Sequence, residues 1–258
     1  MLFECSQLRK SFPTRNGPVL ALDDVTFGAE REEFLCIVGP SGCGKTTLLK
    51  AIAGLVEPSS GSISFNGETP DGRLRTALVF QEHGLFPWMT LLDNVAFGLE
   101  MQGISRAERR ARAREFLGKV GLVSFADNYP HELSVGMRQR ANIARAFLAD
   151  PQILLMDEPL GSLDAQTKVV LQEELLRVWK EYRKLVVYVT HDIREAVLLS
   201  DRVLVMSGRP SRVHEQIDVP LDRPRDLTDT TGPEVNELVR HIWQMLHTEV
   251  RDALWMKQ

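Results

Sequence analysis

From residue 19 to residue 38 the chain carries two strand-length apolar patterns, and the second, Phe34-Leu35-Cys36-Ile37-Val38, is apolar throughout before it reaches Gly39. These predict strands over 19–28 and 34–38, then a glycine loop and a helix from about 44 to 53. Short strands are predicted at 62–66 and 77–80, on either side of glycine- and proline-containing turns. From about 91 to 122 the periodicity becomes helical, including the arginine-rich run 105–116, and a run of strong helix formers covers 137–149. The remainder alternates: strand 152–156, helix 165–182, strand 185–190, helix 192–200 and strand 202–206. Strands alternating with helices imply a parallel sheet covered by helices. Residues 207–233 read as strand fragments and loop. A final helix over 234–254 sets Val235, Leu238, Val239, Ile242, Leu246 and Val250 on one face.

Composition narrows this only a little. The 258 residues, 43% of them hydrophobic, suffice for one large domain or a domain with a subdomain. A formal charge of -4 and a pI near 5.9 provide no global basic field, which weighs against nucleic acid as a partner. No apolar run approaches the roughly 18 to 20 residues of a spanning helix, and the opening MLFECSQLRK lacks the layout of a signal peptide. Three cysteines, Cys5, Cys36 and Cys43, have no metal-ligand spacing and suit a reducing compartment.

The chemistry lies where strands end. Gly39 to Thr46 reads G-x-x-x-x-G-K-[ST], in which small residues let backbone N–H groups curl around phosphates, Lys45 reaches the terminal ones and the Thr46 hydroxyl can ligate magnesium. The apolar strand Ile153 to Met156 delivers Asp157 and Glu158, adjacent carboxylates facing opposite ways. Asp157 suits a magnesium contact and Glu158 the polarisation of an attacking water. Gln81, after a strand, has an amide fit for magnesium or that water, and His191, also at a strand end, is placed to meet a γ-phosphate. Leu85, Phe86, Trp88 and Met89 can be core or a socket for a partner helix. Leu133-Ser134-Val135-Gly136 runs into the helix of 137–149, so Ser134 is a natural N-cap and Ser134 to Gly136 face outward with the positive helix end.

Taken together, GPSGCGKTT (39–47), FQEHGLFPWMT (80–90), LSVGMRQR (133–140), ILLMDEP (153–159), GSLD (161–164) and Thr190-His191 stand in the order and spacing of ABC transporter ATPase subunits, and the chain resembles that family from about Leu8 to Val219. GRPSRVHEQIDVPLDRPRD at 208–226 resembles the branch that imports nitrate, sulfonates, taurine and bicarbonate. The resemblance implies an α/β fold: a P-loop NTPase cassette with a RecA-like parallel-sheet core and antiparallel β subdomain (1–90 and 150–220), an α-helical subdomain (91–149) and a C-terminal helical extension (221–258). It implies ATP and Mg2+ as ligands. Phe12 matches the adenine platform, and Gly39, Ser41, Gly42, Cys43, Gly44, Lys45, Thr46 and Thr47 the Walker A loop. Thr46, Gln81 and Asp157 would hold the metal, and Glu158, His191 and Gln81 would carry catalysis. Ser134 and Gly136 match signature positions that contact the γ-phosphate of an opposing subunit, and Asp164 matches the D-loop. The implied partners are a second copy or close paralogue, two transmembrane permease subunits and an extracytoplasmic solute-binding protein, at the cytoplasmic face of the cell membrane.

Val135 departs from the family, standing where its first signature glycine usually stands. A need for positive φ or for close phosphate approach there would penalise a branched residue, by roughly 1 to 3 kcal/mol for a strained backbone, whereas an ordinary φ costs little. Glu32 likewise occupies a turn position that is often glycine. A soluble ATPase acting on nucleic acid or ribosomes would use the arginines of 105–116, but Glu108 and Glu115 interleave them and a solvated helix face is the simpler reading. A regulatory subunit that binds ATP without turning it over is disfavoured by intact Lys45, Asp157, Glu158 and His191. For the final helix the simplest expectation is packing on its own domain.

Overall fold

The first strand departs from its sequence pattern. In the computed structural model, which describes residues 1–67, 74–80, 84–228 and 232–255 (248–255 by backbone only), Phe3–Phe12 forms β1. No strand is predicted there, because the apolar positions fall at 3, 5 and 8. Gln7 sits at φ 49° and the register against the neighbouring strand shifts between Cys5 and Leu8, so one extra residue restores Leu8 to the buried face. A bulge of this kind erases the period of two that the eye searches for.

The chain divides into two compact units, Met1–Gly67 with Leu185–Gln258, and Glu68–Lys184. In the first unit β1 is the centre of an antiparallel sheet, between β2 (Val19–Ala29) and β4 (Ser60–Phe65). The next strand, β3 (Phe34–Val38), leads into α1 (Lys45–Ile52). β3 is paired in parallel with β7 (Leu185–Val189) on one side and β8 (Arg202–Met206) on the other. All residues of β3 and β7 are buried, as strands covered on both faces must be. Helix α6 (Ile193–Leu199) joins β7 to β8, and β9 (Val213–Asp218) closes this edge antiparallel to β8. The second unit holds the parallel pair β5 (Thr76–Val79) and β6 (Ile153–Asp157), with helices α2 (Leu91–Met101), α3 (Arg106–Lys119), α4 (Val135–Leu148) and α5 (Ala165–Tyr182). The parallel pairs and their helices agree with the predicted α/β class.

The terminal helix α7 (Pro233–Trp255) packs on its own unit, against α6. Ile242 is fully buried, Arg194 donates to Asn236 Oδ1 at 2.7 Å, and His241 Nε2 lies 3.2 Å from Glu215. The segment before it is anchored by Arg225, whose guanidinium donates to the carbonyls of Val197, Leu198 and Ser200 at the C-terminal end of α6, where a cation is favoured. Burial lowers the pKa of Arg225 to about 10, which still leaves it charged at neutral pH.

The turn into β3 tolerates a left-handed residue. Glu32, exposed, has φ 61°. Around it the Glu33 carboxylate accepts from the Glu30 N–H at 2.6 Å and from Arg202 Nε at 2.8 Å, which fixes the turn independently of the Glu32 side chain. A left-handed L-residue costs about 1 to 2 kcal/mol, and glycine returns roughly half of that in unfolded-state entropy. Glu32→Gly should therefore raise unfolding free energy by about 0.5 to 1 kcal/mol, read as a higher urea midpoint at unchanged slope.

Candidate nucleotide site

The glycine loop leaves β3 at Gly39 and turns into α1 at Gly44. Both Gly42 (φ 73°) and Gly44 (φ 127°) take backbone conformations that L side chains avoid. A Cβ on Gly39 would lie 2.9 Å from the Met206 carbonyl oxygen and 3.1 Å from Cys43 Sγ, so neighbouring backbone leaves no room for one. Helices α2, α4, α5 and α6 accept a backbone N–H on the side chains of Thr90, Ser134, Asp164 and Asp192, and α3 does so on Ser105. Helix α1 has Gly44 at its N-cap and no side-chain cap. Its leading amides therefore remain available to an anion, with the positive end of the helix behind them.

Lys45 is buried, and its Nζ donates to the carbonyls of Gly39 at 2.8 Å and Pro40 at 3.1 Å, which places the ammonium across the loop it springs from. Ser41, Gly42 and Thr46 are exposed, Thr47 half-buried and Cys43 only 2% exposed. Sequence reasoning missed Arg209, whose Nη2 donates to the Gly42 carbonyl at 2.6 Å from the loop after β8. Nothing local marks it beyond an arginine between a glycine and a proline.

His191 follows β7, the parallel neighbour of β3, so its loop and the glycine loop emerge at the same end of the strand pair. The Thr190 N–H donates to the Ile37 carbonyl at 3.1 Å, fixing the two exits in register. His191 is exposed. Phe12 ends β1, partly exposed, with Lys10 Nζ 5.0 Å from its ring centroid. Such a cation–π contact holds a flat ring at the surface.

In the second unit β6 ends at Asp157, 8% exposed, and Glu158 comes next at φ 45°. The strain of a left-handed glutamate falls on the residue predicted to polarise water. Ser134 and Asp164 lie on one open pocket of about 410 Å³, lined by Ser134 to Met137 and Arg140 from the start of α4 and by Ser162 to Asp164 and Thr167 from the start of α5. Ser134 Oγ accepts from the Met137 N–H at 3.3 Å and Asp164 Oδ1 from the Thr167 N–H at 3.0 Å. The Thr167 N–H, then its hydroxyl, holds the Asp164 carboxyl below the ordinary carboxylate range. Two positive helix ends thus share one opening.

Val135 is the first residue of α4, with no positive φ and its side chain 39% exposed. The backbone-strain penalty that a branched residue could incur at this position does not arise. At Gly136 a Cβ would approach no atom closer than Thr167 Cγ2 at 3.4 Å, an ordinary contact.

The aromatic cluster after the strand β5 divides between the two readings open to it: Leu85 is buried and Trp88 is 70% exposed. Asn94 pins the segment, its Nδ2 donating to the carbonyls of Phe86, Met89 and Thr90 while its Oδ1 accepts from the Phe86 N–H at 2.7 Å. Gln81 lies outside the described residues. The arginines of α3 are paired in part: Arg109 with Glu100, Arg110 with Asp93 and Arg112 with Glu108. Arg109 and Arg110, half-buried, thus tie α3 to α2, while Arg106, Arg112 and Arg114 lie on the exposed face.

The family model for ABC transporters matches residues 22–161. The chain belongs to the ABC transporter family. An uncharacterized ABC transporter ATP-binding protein of Methanocaldococcus jannaschii is 46% identical over 248 residues, 96% of this chain and 92% of its own length. A nitrate import ATP-binding protein of Synechocystis is 44% identical, covering 86% of this chain and 84% of itself. A taurine import ATP-binding protein of Rhizobium johnstonii is 45% identical, at 92% and 93%. Among solved structures, a bacterial ABC transporter cassette determined as a dimer superposes with a TM-score of 0.75 at 31% identity, over 86% of this chain and all of that one. The fold is that of an ABC cassette, and the chain is an ABC ATPase.

The two glycine environments separate folding from ligand approach. Gly39→Ala should destabilise the chain by about 1 to 3 kcal/mol, since the added methyl meets backbone. Gly136→Ala and Val135→Gly, in the partly exposed first turn of α4, should each change stability by no more than about 1 kcal/mol. Chemical denaturation of the three variants checks this; a Val135→Gly protein more stable than its parent by over about 1 kcal/mol would restore the strain at Val135.

Proposed function

We propose that the chain hydrolyses ATP to drive import of a small anion of the nitrate, sulfonate/taurine or bicarbonate class. In this reading two copies, or one copy and a close paralogue, meet head to tail on the cytoplasmic face of the cell membrane. They power two transmembrane permease subunits fed by an extracytoplasmic solute-binding protein. The observation that carries the reading is the pocket shared by the N-terminal ends of α4 and α5: all its lining residues belong to 68–184, and it offers positive helix ends without a phosphate loop of its own. Such a pocket is half of a nucleotide site, and the uncapped α1 is the other half. Support also comes from the names of the nitrate and taurine relatives and from the dimeric state of the solved cassette. No described helix is long and apolar enough to cross a membrane, so motion would have to pass to partners that do.

Within one copy, Gly39, Ser41, Gly42, Cys43, Gly44, Lys45, Thr46 and Thr47 cradle the phosphates through backbone amides and the Lys45 ammonium, and Phe12 offers a ring face to adenine. The chemistry of the proposed donors suits a magnesium ion: in this reading the Thr46 hydroxyl, the Asp157 carboxylate and the Gln81 amide oxygen would hold it. Magnesium when bound neutralises charge on the terminal phosphates. Glu158 polarises the attacking water and His191 contacts the γ-phosphate. Ser134 and Gly136 of the other copy close over that phosphate, and Asp164 links the two sites. Exposed Trp88 lies where a permease helix can dock.

Glu158→Gln removes the base while preserving shape. We expect it to lower ATP turnover by roughly 100-fold or more and to trap an ATP-bound dimer, visible as a shift in sizing chromatography at saturating Mg-ATP. A variant that remains monomeric there, with permease subunits present as well as absent, contradicts the composite site.

A further inference from the structure

Beneath His191 lies a closed set of polar contacts that the proposed chemistry leaves unused. Glu195, in α6, is 5% exposed, and it stands among Ala196, Val197, Leu198 and Leu199, all buried. Its carboxylate accepts from the Tyr188 hydroxyl at 2.8 Å and from the Thr190 hydroxyl. The Thr190 oxygen in turn accepts from the Asp192 N–H at 3.0 Å, and Asp192 Oδ1 accepts from the Glu195 N–H at 3.1 Å. The contacts run Glu195 to Thr190 to Asp192 and back to Glu195, and His191 is the residue they enclose. Only His191 of the turn points out to solvent. On the far side, the Thr190 N–H holds the Ile37 carbonyl, two residues before Gly39.

A carboxylate in such a place needs a reason, because burying an acid is unfavourable unless donors meet it, and an apolar residue of similar size commonly stabilises as well. The Tyr188 and Thr190 hydroxyls that donate to it are neutral, and hydroxyl bonds to an anion are short and directional. Burial first, and the Glu195 charge second, push the Tyr188 pKa well above its ordinary value, so the phenol remains a proton donor. Thr190 has one proton and gives it to Glu195, which turns its lone pairs toward the Asp192 N–H. The direction of that hydroxyl, and with it the path of the chain through His191, depends on the acid.

We propose that Glu195 is a positioning residue of the nucleotide site: by anchoring Thr190 from below it fixes the 190–192 turn and presents His191 beside the phosphate loop. This rests on the reading of His191 as the γ-phosphate contact. Glu195 itself touches no substrate, and the proposal therefore predicts a defect in turnover and not in nucleotide binding.

The test is steady-state ATPase of the transporter assembled with its permease subunits, with ATP affinity and thermal midpoint measured alongside, for Glu195→Gln, Thr190→Val, Thr190→Ser and His191→Ala. Thr190→Val keeps the shape and loses the hydroxyl; Thr190→Ser keeps the hydroxyl. Glu195→Gln and Thr190→Val should each lower kcat about tenfold or more with KM and Kd for ATP within about twofold of the parent, and Thr190→Ser should regain at least about half of the parental kcat. Parental kcat in Glu195→Gln and Thr190→Val, while His191→Ala is inactive, overturns the positioning role alone. So does a loss of affinity in step with kcat, or a Thr190→Ser no better than Thr190→Val, since either marks general damage to the fold. Parental turnover in His191→Ala instead removes the γ-phosphate reading on which the proposal stands.

Discussion

Parallel pairing of β3 with β7 is the constraint on which the placement of the glycine loop and of His191 depends. Both strands are buried on both faces, so their hydrophobic pattern cannot specify how they align: a slip by one residue would bury as much apolar surface as before. Hydrogen bonds at the strand ends mark the alignment adopted. The Val186 N–H donates to the Glu33 carbonyl at 2.9 Å and the Thr190 N–H to the Ile37 carbonyl at 3.1 Å, while Asp201 Oδ2 accepts from the Phe34 N–H at 2.9 Å. A slip of one residue is about 3.3 Å of travel, more than the tolerance of a contact to phosphate. Glu33 adds a second use, since the carboxylate of the same residue closes the turn that begins β3.

Helix N-termini appear in two electrical states. The amides that open α1 have no side-chain acceptor, and the loop that precedes them is shaped by glycines whose φ values are positive. Those of α4 and α5 are capped by Ser134 and Asp164, which satisfies one donor each and holds the helix starts in place. An uncapped end suits an anion that stays close through a catalytic cycle. A capped end keeps its dipole and its shape whether or not an anion is near, which suits a surface that must engage and release. Asp164 also adds negative charge at the mouth of its pocket, so any phosphate arriving there meets attraction from the helix ends and Arg140 together with one opposing carboxylate.

Much of the fold was legible because periodicity and glycine placement coincide with it. The apolar runs 34–38 and 185–189 read directly as buried strands. Ser134 read as the start of a helix, being a good capping residue set just ahead of a run of helix formers. Three features were not legible, each for a physical reason. β1 was hidden because Gln7 inserts one residue into its alternation. Arg209 acts on the Gly42 carbonyl across a separation of 167 residues, and no local pattern encodes such a contact. Glu195 does leave a trace, the single acid of Ile193 to Leu199 just ahead of the apolar run Ala196 to Leu199, but its partners Tyr188 and Thr190 are set by the strand that precedes it. Conversely, the sequence raised a question of strain at Val135 that the backbone answers: a glycine in a family pattern marks either a need for positive φ or a need for space, and the φ angle here removes the first.

That distinction bears on how strain is distributed along the chain. Glu32 and Glu158 are both left-handed glutamates, one at the entry to an apolar strand and the other at the exit from one. At Glu32 the strained residue is exposed and its neighbour Glu33 does the holding, so glycine could replace it without loss of any described contact. At Glu158 the strained residue is itself the acid proposed to polarise water, half-buried, with Gly161 N–H donating to its carbonyl at 3.1 Å and Gly161 so close that an added Cβ would lie 3.5 Å from Glu158 Oε2. Relief by glycine is unavailable there, because it would delete the carboxylate. Strain at a turn is incidental and can be removed, whereas strain that aims a functional side chain persists because the same residue must provide both the conformation and the charge.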